Sequence, residues 1–266
     1  TGDIDLSVGG TEAAFFNGVD SGFDLRWVSA NFFPPASGDT SVPQTGLWAR
    51  RDAFSDPENP DITELAGQKI ASAVGYGSSI AYPIQAALGD AGLLMGKDVG
   101  VETIPSTDMA LALENNTVQA AWMLDPLWQS LAEDPDTYVL VATQTPGEPI
   151  GGLYAGPGCH TDKRDACVAF HRAVIRTINT YLTGDYHQDA DVVAAIAEAI
   201  SQEADVIAAT PSLLFDWEIR EGTTDRIQDV FIGFAEADQV VVEYDTAYPE
   251  DQVVDRSIYL EAIGRG

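Results

Sequence analysis

Gln68-Lys69-Ile70-Ala71-Ser72-Ala73-Val74-Gly75-Tyr76-Gly77-Ser78-Ser79-Ile80 opens the stretch that decides the fold, and Val118-Gln119-Ala120-Ala121-Trp122-Met123-Leu124-Asp125-Pro126 closes it. An apolar strand feeding a glycine-rich turn and then a helix start is how α/β proteins present backbone N–H groups to an anionic ligand. The turn is not a dinucleotide fingerprint, because Ile80 stands where the third glycine belongs. Pro83 has no N–H and must sit in the first helical turn, which places the N-cap within residues 79–82.

Outward from this stretch the pattern alternates. Strands are expected at 69–73, 99–103, 118–122 and 138–142, with helices at 80–89, 107–115 and 126–133 between them. Strand–helix alternation with short connections predicts a parallel sheet flanked by helices. Upstream, residues 4–8 and 25–29 read as strands, 11–17 as a helix start, 32–44 as a proline- and glycine-bearing loop, and 46–50 as a further strand. The polar segment 51–60 reads as a crossing between lobes. Downstream, 151–155 reads as a strand returning to the first lobe, followed by helices at 165–182, 190–200 and 227–234. Two α/β lobes joined by crossings imply a hinged cleft, where small ligands bind.

Bulk properties narrow the function. The chain has 266 residues, 45% of them hydrophobic, enough for a sizeable core in one large domain or two lobes. No apolar run approaches the roughly 18–20 residues of a membrane span. With 42 Asp and Glu against 13 Lys and Arg, the net charge of −29 repels nucleic acid and anionic lipid. The acids are dispersed and lysine occurs only at Lys69, Lys97 and Lys163, a pattern that fits a surface adapted to high salt. An acidic protein of an ordinary cell fits it too. The chain begins at Thr1 rather than Met, so it is expected to be a processed form or a fragment.

Four segments together resemble the extracytoplasmic substrate-binding proteins of ABC importers, in the nitrate, sulfonate, taurine and thiamine-precursor group. They are Gly2-Asp3-Ile4-Asp5 with Gly10 and Gly18; Ile62-Thr63-Glu64-Leu65-Ala66-Gly67-Gln68-Lys69-Ile70-Ala71; Leu93 to Val99 with Asp108–Leu113 and Val118–Ala121; and Pro249–Asp255 with Ala262-Ile263-Gly264. The resemblance implies a two-lobed type II periplasmic-binding-protein fold. Each lobe would be a mainly parallel sheet flanked by helices, with the ligand cleft between lobes. The first lobe is expected at 1–47 and 152–266 and the second at 48–151. Family members carry a first strand and helix ahead of the segment that starts here, so the first lobe is expected to lack them. The resemblance also implies an extracytoplasmic location, in the periplasm or at the cell surface, free or lipid-anchored through a removed N-terminal segment, a permease partner, a monomer and no cofactor.

The candidate ligand contacts are Tyr76, Gly77, Ser78 and Ser79 in the glycine turn, Gly10 and Thr11 after the first strand, and Trp122 and Asp125 at the end of another. Ser78 and Ser79 offer hydroxyls to a sulfonate, nitrate, phosphate or carboxylate, or else simply cap a helix. Gly10 and Thr11 stand open between ligand contact and capping. Trp122 would wall an alkyl chain or belong to the core, and Asp125 would meet an ammonium group or cap a helix before Pro126. Trp48 and Trp217 are looser candidates. Cys159 and Cys167 leave three readings: a disulfide, two free thiols, or, with His160 and His171, a metal site of no standard zinc spacing.

No catalytic triad order, zinc-type His-Glu spacing or phosphate-loop lysine is present, and three histidines supply few general bases. Two cysteines cannot form the cysteine-rich motif of a pyrimidine-synthesising relative. A lyase of the menaquinone type and a ligand-sensing domain of a larger regulator remain as alternatives to a solute-binding protein.

Overall fold

The computed structural model describes residues 4–34, 39–145 and 147–265. The expected Gly2-Asp3 of the first motif and the Pro35 to Gly38 part of the expected loop lie outside these residues. From the N-terminus the elements are β1 (Leu6–Gly10), α1 (Ala13–Asp20), β2 (Arg26–Ala30), β3 (Phe32–Phe33) and β4 (Gly46–Arg50). The middle of the chain supplies β5 (Lys69–Ser72), α2 (Ala81–Asp90), β6 (Gly100–Thr103), α3 (Met109–Glu114), β7 (Ala120–Met123), α4 (Gln129–Ala132) and β8 (Tyr138–Thr143). Then follow β9 (Gly151–Ala155), α5 (Pro157–His160), α6 (Arg164–Tyr181), α7 (Ala190–Ile200), α8 (Ala204–Ala209), β10 (Leu214–Phe215), α9 (Thr223–Gly233), α10 (Glu250–Val253) and α11 (Ser257–Ala262).

The chain divides into two compact units. One comprises Thr1–Ala36, Gly147–Ile232 and Val242–Gly266, the other Ser37–Pro146 and Gly233–Val241. In the second unit a five-stranded sheet has the order β6-β5-β7-β4-β8. β5 pairs in parallel with β6 and β7, while β4 pairs antiparallel with β7 and β8, so four of the five strands share one direction. The first unit holds a three-stranded sheet, β1-β9-β2, in which β9 runs against both neighbours, and the short antiparallel pair β10-β3. The α/β class is as expected from the strand–helix alternation. The reversed strands β4 and β9 are where it departs from pure alternation, and each is the first strand of its sheet after the chain passes from one unit to the other.

Burial accounts for the elements. Every residue of β7 is buried, as in a strand covered on both faces. Trp48, Ala71, Met109, Leu113, Ala121, Met123 and Leu140 meet in the core of the second unit, where the Trp48 and Trp128 rings stack at 6.3 Å. In α6 the buried positions Cys167, Val168, His171, Ile175 and Ile178 follow the helical period, and Cys167, Val168 and Ile175 pack with Val28, Leu153 and Ile258. Asp189 caps α7 by accepting the Asp191 and Val192 N–H groups.

Several elements differ from expectation. The Pro249–Asp255 segment, which with Ala262-Ile263-Gly264 resembles the family's C-terminal strand and helix, holds the helical turn α10, and Val254 bridges to Trp27. The expected helix at 126–133 narrows to α4, and the one at 107–115 begins as a 3-10 turn at Ser106–Asp108. The Phe32–Phe33 pair leaves its expected loop to form β3, because Phe32 meets Phe215 at 6.0 Å across the two-stranded pair. Asn116 takes φ 55°, closing α3 in the left-handed region that asparagine tolerates. No helix among the described residues is long and apolar enough to cross a membrane.

Candidate functional site

In the second unit, the parallel pairing of β5 with β6 and β7 brings their C-terminal ends to one edge of the sheet. The Gly75–Ser79 turn leaves from β5 and the Trp122–Asp125 stretch ends β7, so the structure gathers these candidates at the edge where α/β sheets bind ligands. The turn is largely self-satisfied. Ser78 N–H donates to the Gly75 carbonyl at 3.1 Å, and the Ser78 carbonyl and hydroxyl both accept the Ala81 N–H, at 3.1 and 3.3 Å. Pro83 removes another donor from the first turn of α2, whose N-cap, Ile80, falls in the interval that Pro83 predicts. Ser79 is half-buried and its hydroxyl has no partner among the described residues. Tyr76 packs edge-on to Phe234 at 5.2 Å, and burial pushes its hydroxyl pKa up. Its hydroxyl also lies over Gly96, where φ of +88° and the nearness of the ring both demand glycine.

Trp122 lies inside β7 rather than at its end and is 1% exposed, yet its indole N–H has no partner. Asp125 is exposed. It accepts the Trp128 indole N–H with its carboxylate, and its own N–H donates to the Thr45 hydroxyl at 3.1 Å, so it caps a tryptophan rather than a helix.

The first unit has its own edge. β1 and β2 both run against β9, so Gly10 and Ala30, at their C-terminal ends, face Gly151 and Gly152 at the start of β9. Gly151 leaves no room for a side chain, since a Cβ there would meet the Gly9 carbonyl at 2.6 Å. The Gly10 carbonyl accepts the Tyr154 hydroxyl at 2.7 Å, and burial pushes that hydroxyl far above its ordinary pKa, with the Glu12 charge adding to the shift. Thr11 is 3% exposed and its hydroxyl makes no hydrogen bond to a described residue. It does not cap α1, which has no side-chain cap.

A group that the local sequence pattern does not flag stands at this same edge. Arg220 and Arg226 both reach the segment that leads into β9. Arg220 donates to the Gly147 carbonyl and lies 4.6 Å over the Phe33 ring, and Arg226 pairs with the Glu148 carboxylate. Thr223 and Thr224 open α9 with fully buried hydroxyls that have no partner. The signal available in sequence was Gly222-Thr223-Thr224-Asp225, a helix-start composition, but it does not announce the arginines' targets 73 and 78 residues away.

Cys159 and Cys167 form a disulfide, with Cα atoms 5.6 Å apart, so neither sulfur is a free thiol or a thiolate ligand. His160 pairs with Asp255 at 3.3 Å, and that bond together with the Ser257 N–H holds the Asp255 pKa well below the carboxylate range. His171 and His187 are committed through Nδ1 to the Cys167 and Thr210 carbonyls. Trp48 and Trp217 both serve packing, Trp48 in the second core and Trp217 against the first.

Sheets with helix starts at their strand ends, in two units of one chain, define an α/β architecture, and the fold is that of the periplasmic binding proteins. The aliphatic sulphonate binding protein SsuA of Escherichia coli is similar with a TM-score of 0.65 and 20% identity, over 96% of this chain and 76% of that one. The nitrate-binding protein NrtA of Synechocystis is similar with a TM-score of 0.61 and 13% identity, over 98% of this chain and 74% of that one. DszB, crystallised with biphenyl-2-sulfinic acid, also shares the fold, with a TM-score of 0.58 and 12% identity over 99% of this chain and 87% of that one. No protein-family profile and no curated protein sequence matches the chain.

Proposed function

We propose that the chain is the extracytoplasmic solute-binding component of an ABC importer, taking a small anionic or zwitterionic organic solute of the sulfonate, nitrate or thiamine-precursor kind. The observation that carries this reading is the placement of helix starts and unpartnered hydroxyls, Ser79 in one unit and Thr11 in the other, at the strand-end edges of a fold shared with sulfonate- and nitrate-binding proteins. Gly10, Thr11, Tyr76, Gly77, Ser78, Ser79, Trp122 and Asp125 are the proposed contacts, with Ser79 and Thr11 the freest to donate. Asp125 remains available to an ammonium group through the carboxylate oxygen that Trp128 does not use. The disulfide supports an oxidising compartment. The permease partner and the monomeric state rest on the transport reading.

An enzyme is the second reading, because DszB shares the fold. Against it stand the committed histidines and the oxidised cysteines, which leave little for acid–base or thiol chemistry. Titration calorimetry with taurine, alkyl sulfonates, nitrate and pyrimidine precursors tests the proposal. Saturable heat without product is the expected result, and conversion of any of these compounds would move the protein to the enzymatic reading.

A further inference from the structure

The second unit contains a segment that arrives late in the chain. Gly233–Val241 belongs to it, although the residues before and after belong to the first unit. The segment opens with the 3-10 turn Phe234–Ala237, which ends at Asp238 in the left-handed region at φ 56°. The Gln239 N–H closes it by donating to the Phe234 carbonyl at 3.0 Å. Phe234 is fully buried, and its ring meets that of Tyr76 edge-on at 5.2 Å. Glu236, two residues on, pairs with Lys97 at 3.8 Å. Lys97 follows Gly96 in the connection from α2 to β6, so this one segment meets both that connection and the Gly75–Ser79 turn.

Tyr76 is the one large side chain of the turn, and glycines stand on both sides of it. Gly75 is exposed, with open space where a Cβ would be. Two flanking glycines leave the backbone many conformations to lose when the turn is ordered. The Ser78 and Ala81 N–H groups close the turn on itself and tie it to α2. The Tyr76 ring ties it to residues far along the chain. Beyond its contact with Phe234, it fills the space that a side chain at Gly96 would take, since a Cβ there would stand 2.7 Å from the Tyr76 hydroxyl and 3.0 Å from the ring. Burial pushes the Tyr76 hydroxyl pKa up, as a ring held in this way requires.

We propose that Phe234 is a positioning residue for the binding turn: by holding the Tyr76 ring over Gly96, it keeps Gly75–Ser79 in the one conformation that receives a solute. The proposal rests on the solute-binding reading of that turn and goes beyond it, because it gives a role to a residue outside the proposed contacts. A turn that is competent only part of the time lowers the apparent affinity by that fraction. Loss of the Phe234 ring therefore weakens binding through the disorder of the turn, with every proposed contact residue still in the chain.

Two measurements on the full chain test it. In protein labelled with 3-fluorotyrosine, the Tyr76 fluorine resonance is the one that Tyr76→Phe removes. Phe234→Leu is expected to shift this resonance towards that of a solvent-exposed tyrosine and to lower the pH at which it titrates, as desolvation is relieved. Calorimetry with taurine, methanesulfonate, nitrate and pyrimidine precursors reads the affinity. Phe234→Leu is expected to weaken binding of the best of these roughly fivefold. In a Tyr76→Ala background the same substitution is expected to change affinity by less than about twofold, because no ring is left to hold. If Phe234→Leu fails to fold, as judged by circular dichroism, Phe234→Met takes its place in both measurements. An equal loss of affinity with and without the Tyr76 ring, or a Tyr76 resonance that the substitution leaves unmoved, overturns this inference and leaves the solute-binding reading standing. A wild type that binds none of these solutes overturns the solute-binding reading, and the fluorine resonance then decides by itself whether Phe234 holds the turn.

Discussion

Glycine and hydroxyl residues mark the starts of both α2 and α9: Gly75–Ser79 precedes α2, and Gly222 precedes Thr223 and Thr224, which open α9. At α2 the hydroxyl of Ser78 accepts the Ala81 N–H, and Pro83 has removed a further donor. At α9 the two threonine hydroxyls are buried and unpaired, while Arg220 and Arg226, on either side of them in sequence, reach Gly147 and Glu148. The first is a turn complete but for the Ser79 hydroxyl, and the second is a turn whose two hydroxyls both lack a partner. A glycine-rich composition marks where backbone donors are presented, but only the hydrogen-bond inventory shows which of them are already spent.

The contrast extends to the units that hold the two turns. The disulfide and all three histidines belong to the first unit, with α9, and none to the second. The largest expected effect is therefore confined to one side. Replacing both Cys159 and Cys167 by alanine opens a loop of sequence separation 8 and is expected to cost roughly 2–3 kcal/mol of unfolding free energy by chain entropy. Urea unfolding followed by far-ultraviolet circular dichroism would measure it. A loss below half a kcal/mol would mean that the α5–α6 packing, not the crosslink, holds this region.

Next come two substitutions of opposite sign. Ser78→Ala removes the hydroxyl that meets Ala81 N–H and is expected to destabilise the protein by about 1 kcal/mol. Thr224→Val replaces a buried unpaired hydroxyl with a methyl of the same shape and is expected to stabilise the protein by about 1 kcal/mol. Thermal unfolding compares the two. Equal signs would erase the distinction between the two turns.

Much of the framework was legible because it is local. The apolar runs Ile70-Ala71 and Ala120–Met123 announced buried parallel strands, and the period of Val168, His171, Ile175 and Ile178 announced α6. The reversals of β4 and β9 were not legible, since pairing direction is set by where the chain arrives, not by its composition. In the Pro249–Asp255 segment of the fourth motif, Glu250–Val253 coils into a helical turn and Val254 alone makes a bridge, to Trp27. At the candidate site, Gly10, Thr11 and the Gly75–Ser79 turn could be marked from glycine placement alone. The spending of Asp125 on Trp128, and the meeting of Arg226 with Glu148 78 residues away, depend on tertiary contact, so no local pattern carried them.

The smallest expected effect is a pH dependence that only the first unit can show between pH 7.5 and 5.5, because that unit holds every histidine. His171 is 1% exposed. Its Nδ1 lies 2.9 Å from the Cys167 carbonyl, which makes Nδ1–H the donor, and its Nε2 is buried without a partner. Burial holds its pKa below the ordinary 6.5, because a proton on Nε2 would place charge where nothing receives it. The unfolded chain thus binds this proton more readily than the folded one. The stability His171 lends is present above about pH 6.5 and is lost as pH falls from there, up to about 1 kcal/mol by pH 5.5. His171→Leu removes the titrating group while keeping the volume apolar, so its stability between pH 7.5 and 5.5 should be flatter than that of the wild type. If the two curves run parallel, the neutral, buried state of His171 is wrong.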